Sequence, residues 1–100
     1  MNRQQYLDII HPAIDIVIKK GEDYNAGPRL EQYFPFGDFS YIQMIHLKAL
    51  RLVSLVENLD PNYESKEDTI YDLINYCVFY LDHLNQVQQN IGKPDAHVRV

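Results

Sequence analysis

Cysteine is almost missing from this chain of 100 residues: Cys77 stands alone. No internal disulfide can form, and a small chain without such staples suits a reducing compartment. Tryptophan is absent, and glycine and proline number only four and five. That composition excludes collagen-like and low-complexity chains. Long apolar runs are lacking too, since a membrane-spanning helix needs about 20 apolar residues. Arg3, Asp8, His11 and Asp15 interrupt the opening segment, whereas a secretory signal requires an unbroken apolar stretch. Positive charge is in deficit, with nine Lys+Arg against fourteen Asp+Glu and a net charge of −5. Proteins that grip duplex DNA neutralise phosphates and are usually basic. The expected protein is therefore cytoplasmic, with neither a DNA duplex nor a membrane as partner.

The remaining composition, 46% hydrophobic and 23% charged, is that of one globular domain over 1–100. A domain of this size buries only about 65% of its unfolded surface, and association of copies is a common remedy.

The pattern predicts an all-α fold of three main helices, about 3–20, 41–59 and 66–90. In the first, Tyr6, Ile10, Ala13, Ile14 and Val17 follow the spacing of one helix face. Pro12 inside it removes a donor and crowds the Asp8 carbonyl, which predicts a kink or a restart. Lys19, Lys20 and Gly21 read as its C-terminal stop. Residues 21–39 then hold three Gly, two Pro and five of the twelve aromatics, and read as an aromatic-rich loop. Pro28 suits the start of one helical turn over 29–33. Ser40 to Gln43 reads as a capping box opening the second helix, with Phe39 and Met44 as its hydrophobic staple. The third helix is expected to start near Ser65 and end before Ile91-Gly92 and Pro94. A loose tail, 93–100, follows.

Polar residues on apolar faces are the informative feature. In the second helix Tyr41, Met44, Ile45, Leu52, Leu55 and Leu59 cover one arc, while Leu47 and Leu50 lie opposite. A helix apolar nearly all round is enclosed by neighbours. A chain with so few helices is therefore expected to form a homo-oligomer. Lys48 points into the apolar arc and Arg51 follows one turn later. Buried unpaired cations cost several kcal/mol, so both need anionic partners. Two readings stand. The cations pair with carboxylates of the third helix, or they clamp a phosphate. His46 lies on a different edge of the helix.

On the third helix Asp68, Asp72 and Asn75 form a polar stripe that resumes with Asp82, His83 and Gln86. Ile70, Leu73, Ile74, Cys77, Leu81 and Leu84 read as its core side. Asp68 and Asp72 can hold Mg²⁺, neutralise Lys48 and Arg51, or form a wet face. There is no glycine-rich phosphate loop, no Cys/His zinc spacing and no HExxH pattern.

GEDYN at 21–25, IHLKALRL at 45–52 and ESKEDTIYDLINY at 64–76 resemble a family of small phage and prophage domains, the nucleotide modification associated family. The resemblance covers roughly residues 15–85. It implies an α-helical, phage-type protein of the host bacterial cytoplasm connected with nucleotides, and supplies no reaction. The helical plan is also similar to the all-α, MazG-like nucleotide pyrophosphohydrolases. Their second acidic pair has a rough match in Asp68 and Asp72. Their first has none, because the second helix carries Lys48 and Arg51, with Glu57 alone near its end.

The expected function is a non-catalytic protein that binds a small nucleotide. The leading version is a sponge-like one, sequestering a cyclic nucleotide or cyclic ADP-ribose signal of bacterial anti-phage defence. Its expected ligand-binding residues are Lys48, Arg51, Tyr24, Asn25, Phe36, His46, Asp72 and Asn75, with no catalytic residue, metal or cofactor. One alternative is a Mg²⁺-dependent nucleoside triphosphate pyrophosphohydrolase, with metal on Asp68 and Asp72. The other is a protein that interacts with a host factor through its acidic surface and aromatic loop.

Overall fold

The computed structural model describes residues 1–25, 30–57 and 65–90, with side chains for all of these except 22–25, 30 and 90. The fold is all-α. Helices α1 (Arg3–Asn25), α2 (Asp38–Glu57) and α3 (Lys66–Asn90) are joined by a 3₁₀ turn at Leu30–Tyr33 ahead of α2. Among the described residues there is no strand, and no helix is long and apolar enough to cross a membrane. Helix α3 is the element on which both α1 and α2 pack.

Each helix start has a local cause. Asn2 and Gln5 exchange bonds before α1: the Gln5 amide donates to Asn2 Oδ1 and the Asn2 amide to Gln5 Oε1, both at 2.8 Å. This is a capping box built from amide side chains. Helix α1 runs unbroken past Pro12, where the sequence predicted a kink or restart. It also runs past Gly21 to Asn25, so GEDYN belongs to the helix and not to the loop. The expected stop at Lys19-Lys20-Gly21 is not used, and the same turn places Lys20 Nζ 3.5 Å from Asp72 of α3.

Helix α2 starts at Asp38, two residues before the expected cap. Gly37, with φ of 60°, makes the left-handed turn into it. Ser40 is buried inside the first turn; its Oγ accepts the Phe36 amide at 2.8 Å, and its own amide donates to the Gly37 carbonyl. The hydroxyl thus closes the entry turn and does not cap the Gln43 amide. Phe39 is 79% exposed and forms no staple. At α3 the expected start holds, with Ser65 Oγ accepting the Asp68 amide at 3.0 Å. The tail at 93–100 and the predicted end of the second helix at 58–59 lie outside the described residues.

The core is small and mixed. Among the described residues, Ala13, Phe34, Tyr41 and Leu55 are the buried hydrophobic ones, joined by buried Ser40, Thr69 and Asn75. Phe34, just after the 3₁₀ turn, stacks on Tyr41 with centroids 4.2 Å apart. Tyr41 stacks in turn on Tyr80 at 5.4 Å, and Tyr76 and Phe79 meet Phe34 from α3. One aromatic of the predicted loop therefore pins it to α2 and α3, while Tyr33, Phe36 and Phe39 stay exposed. On α1, Ala13 is buried and Ile10 and Val17 half-buried, but Tyr6 and Ile14 face outward.

The predicted orientation of α3 is corrected in part. Cys77, Ile70 and Leu81 are exposed, and Thr69, Asp72, Asn75, Tyr76 and Phe79 face the other helices. Of the predicted core side, Leu73, Ile74 and Leu84 are half-buried as expected; of the polar stripe, Asp72 and Asn75 turn inward because they find partners there, while Asp68, Asp82 and Gln86 stay exposed.

Two outcomes test this packing. Phe34→Ala is expected to cost about 3 kcal/mol, the scale of a buried Phe→Ala change, read as a lower urea midpoint. Burial holds the Tyr41 hydroxyl above the ordinary tyrosine value of 10.0, assisted by the charges of Glu31 and Asp82. A raised value in the folded state contributes stability that is present below 10.0 and lost as pH rises through the folded value. Melting temperature is thus expected to fall above pH 10.0, and less steeply in Tyr41→Phe.

Candidate functional site

The site grows from one carboxylate. Asp72 lies on the inward face of α3 with its side chain 19% exposed. Its Oδ2 accepts from Lys48 Nζ of α2 at 2.9 Å, and its Oδ1 faces Lys20 Nζ of α1 at 3.5 Å. One carboxylate thus joins all three helices. Lys48 is 23% exposed, so its pair is partly desolvated, while Lys20 is more than half exposed and its contact is the weaker one. One turn along α3, buried Asn75 donates from Nδ2 to the Ala13 carbonyl of α1 at 3.1 Å. Ala13 is fully buried and its small side chain permits that approach.

Of the two readings of Lys48, the structure carries the ion pair: Lys48 meets a carboxylate of α3. Arg51 is exposed and lies with Lys48, Met44 and Leu47 along a groove of about 410 Å³ on α2. A separate crevice behind Asp72, lined by Val17, Lys20, Asn75, Tyr76 and Phe79, encloses about 20 Å³. That is room for a single water, not a nucleobase.

The other predicted ligand residues are dispersed. His46 is exposed, and at 100° per residue it lies about 200° around α2 from Lys48. Phe36 is 77% exposed at the far end of α2, eight residues beyond its Ser40 contact from Lys48, a rise of about 12 Å. Tyr24 and Asn25 fall in the last turn of α1, and their side chains lie outside the described residues. Asp68 is exposed in the first turn of α3, and among the described residues no group of three His, Cys, Asp or Glu can hold a metal. Lys20 is the member that sequence reasoning missed. The sequence marked it as a helix stop, and no local spacing links α1 to α3.

A second polar cluster closes the opposite end of α2. His83 Nε2 lies 3.7 Å from Asp38 Oδ1, and its ring packs on Tyr41 at 4.9 Å. The pKa of the Tyr80 hydroxyl is raised, by desolvation first and then by the charge of the same Asp38 carboxylate. This cluster fixes the start of α2 against α3. Comparison of the chain with protein-family models, curated proteins and solved structures gives no match.

Lys48→Met is expected to lower stability by about 1–2 kcal/mol, because Asp72 then keeps only the longer contact with Lys20. Lys20→Met is expected to cost less. Chemical denaturation of both variants checks the order, and the reverse order would place the stronger tie on α1.

Proposed function

We propose that the chain is a small binding protein for a phosphate-bearing ligand of the nucleotide class. The observation that supports this is the groove of about 410 Å³ with Lys48 and Arg51 on its wall and Met44 and Leu47 beside them. Its volume lies within the usual range of about 300–1,000 Å³ for small-molecule sites. Asp72 holds Lys48 Nζ in one place, so the ammonium is pre-positioned before a ligand arrives. Arg51, three residues on, adds a planar donor fork suited to phosphate oxygens. The two side chains Met44 and Leu47 offer an apolar surface for a base or ribose face.

Binding without turnover fits these residues best. Asp72, which the hydrolase reading needs for Mg²⁺, is already engaged by two lysines. Retention of a nucleotide signal, the sponge-like role in which the chain resembles small oligomeric phage proteins, calls for binding of this kind and no reaction.

Calorimetric titration with a panel of linear and cyclic nucleotides tests the proposal. Heat of binding is expected for at least one member, with affinity falling roughly tenfold or more in Arg51→Ala, as for a lost charged hydrogen bond. No heat with any member overturns it. Arg51→Ala is the cleaner variant, since the exposed Arg51 does not carry the Lys48–Asp72 tie between helices.

A further inference from the structure

Helix α2 has two apolar faces, and among the described residues only one is covered. Tyr41, Met44, Ile45, Lys48, Leu52 and Leu55 face inward and are buried or half-buried. On the other side Phe39, Ile42, His46, Ala49, Val53 and Val56 are all exposed. Their spacing alternates three, four, three, four, three, which is the seam of a two-helix coiled coil. Phe39, Val53 and Val56 are each at least 60% exposed. No Asp, Glu, Lys or Arg occupies any seam position; Leu50 flanks it, and Asp38 and Glu57 stand only at its ends.

We infer that this seam is closed by the same seam of a second copy, with the two α2 helices antiparallel about a two-fold axis. The order of side-chain sizes selects the direction. Antiparallel pairing about the middle of the seam sets Phe39 against Val56, Ile42 against Val53, and His46 against Ala49. Each layer then joins a larger side chain to a smaller one, the arrangement that fills space evenly. Parallel pairing sets Phe39 on Phe39 and His46 on His46, which crowds two layers and leaves the Ala49 layer empty. A two-fold antiparallel pair is also self-complementary, as closed dimers require.

The area is sufficient. The exposed seam and Leu50 present roughly 600 Å² per copy, so a pair buries about 1,200 Å², the lower bound of specific, stable interfaces. A patch of that size on one copy is at the upper end of what a monomer exposes. The covered face of α2 is tied to α3 by Lys48 and Asp72, so the helix offers its outer seam without losing its own packing. Lys48 and Arg51 lie on other sides of α2, so the association stands apart from nucleotide binding.

Light scattering, circular dichroism and cross-linking test the inference together. At micromolar concentration the protein is expected to have twice the 11.8 kDa chain mass, or a multiple of that. Val53→Glu is expected to be dissociated while keeping its helicity. His46→Leu removes a polar group from the seam and is expected to lower the dissociation constant roughly tenfold or more. In a Cys77→Ser background, a mixture of Ile42→Cys and Val53→Cys chains is expected to oxidise to a cross-linked pair, and Val53→Cys alone is not. A monomeric wild-type protein overturns the inference. So does a Val53→Glu variant that keeps the wild-type mass, weaker association in His46→Leu, or cross-linking of Val53→Cys alone.

Discussion

Asp72 is the point on which the three helices depend. Its two oxygens face Lys48 of α2 at 2.9 Å and Lys20 of α1 at 3.5 Å, so a single side chain of α3 meets both neighbours, α2 more firmly than α1. Among the described residues, Ala13, Phe34, Tyr41 and Leu55 are the buried hydrophobic ones, and directional polar contacts add to them. Hydrophobic burial is non-directional. An ion pair and a buried amide, Asn75 on the Ala13 carbonyl, specify one register where aliphatic packing alone would accept several.

The three helices were legible because their patterns are local. The capping serine at Ser65 and the span 66–90 follow from spacing along the chain, as does the single turn of Leu30–Tyr33. The start of α2 was misplaced by three residues because Ser40 uses its hydroxyl on the Phe36 amide, a bond that a Ser-x-x-Gln pattern does not distinguish from a cap. The inward face of α3 was misread for a deeper reason. Hydrophobicity ranked Cys77 and Leu81 above Asp72 and Asn75, but partners decide which polar groups go inside. Those partners, Lys48, Lys20 and Ala13, lie 24 or more residues away in sequence.

The same distance governs the candidate site. Lys48 and Arg51 share a helix, so their proximity was readable, and the groove contains both. His46 and Phe36 entered the same set by residue type, and the fold sends them to other sides of α2. What unites the two halves of the molecule's surface is α2 itself. One face carries the ammonium held by Asp72, another carries an uncovered apolar seam, and the groove lies on a third arc. A single twenty-residue helix thus serves the core, the groove and the outer face at once.

Ala13 sets a limit on how this sequence can drift. Its side chain is wholly enclosed between α1 and α3, and its carbonyl receives the Asn75 amide. A valine or leucine there has nowhere to go but between the two helices. Forcing them apart would lengthen the hydrogen bond from Asn75 to the Ala13 carbonyl and draw Lys20 away from Asp72, so one added isopropyl group would loosen two polar ties it never touches. Position 13 therefore acts as a size gate: divergent versions of this chain that keep the Asn75 and Lys20 contacts are confined to alanine, glycine or serine at that point, however freely the outer surface of α1 varies.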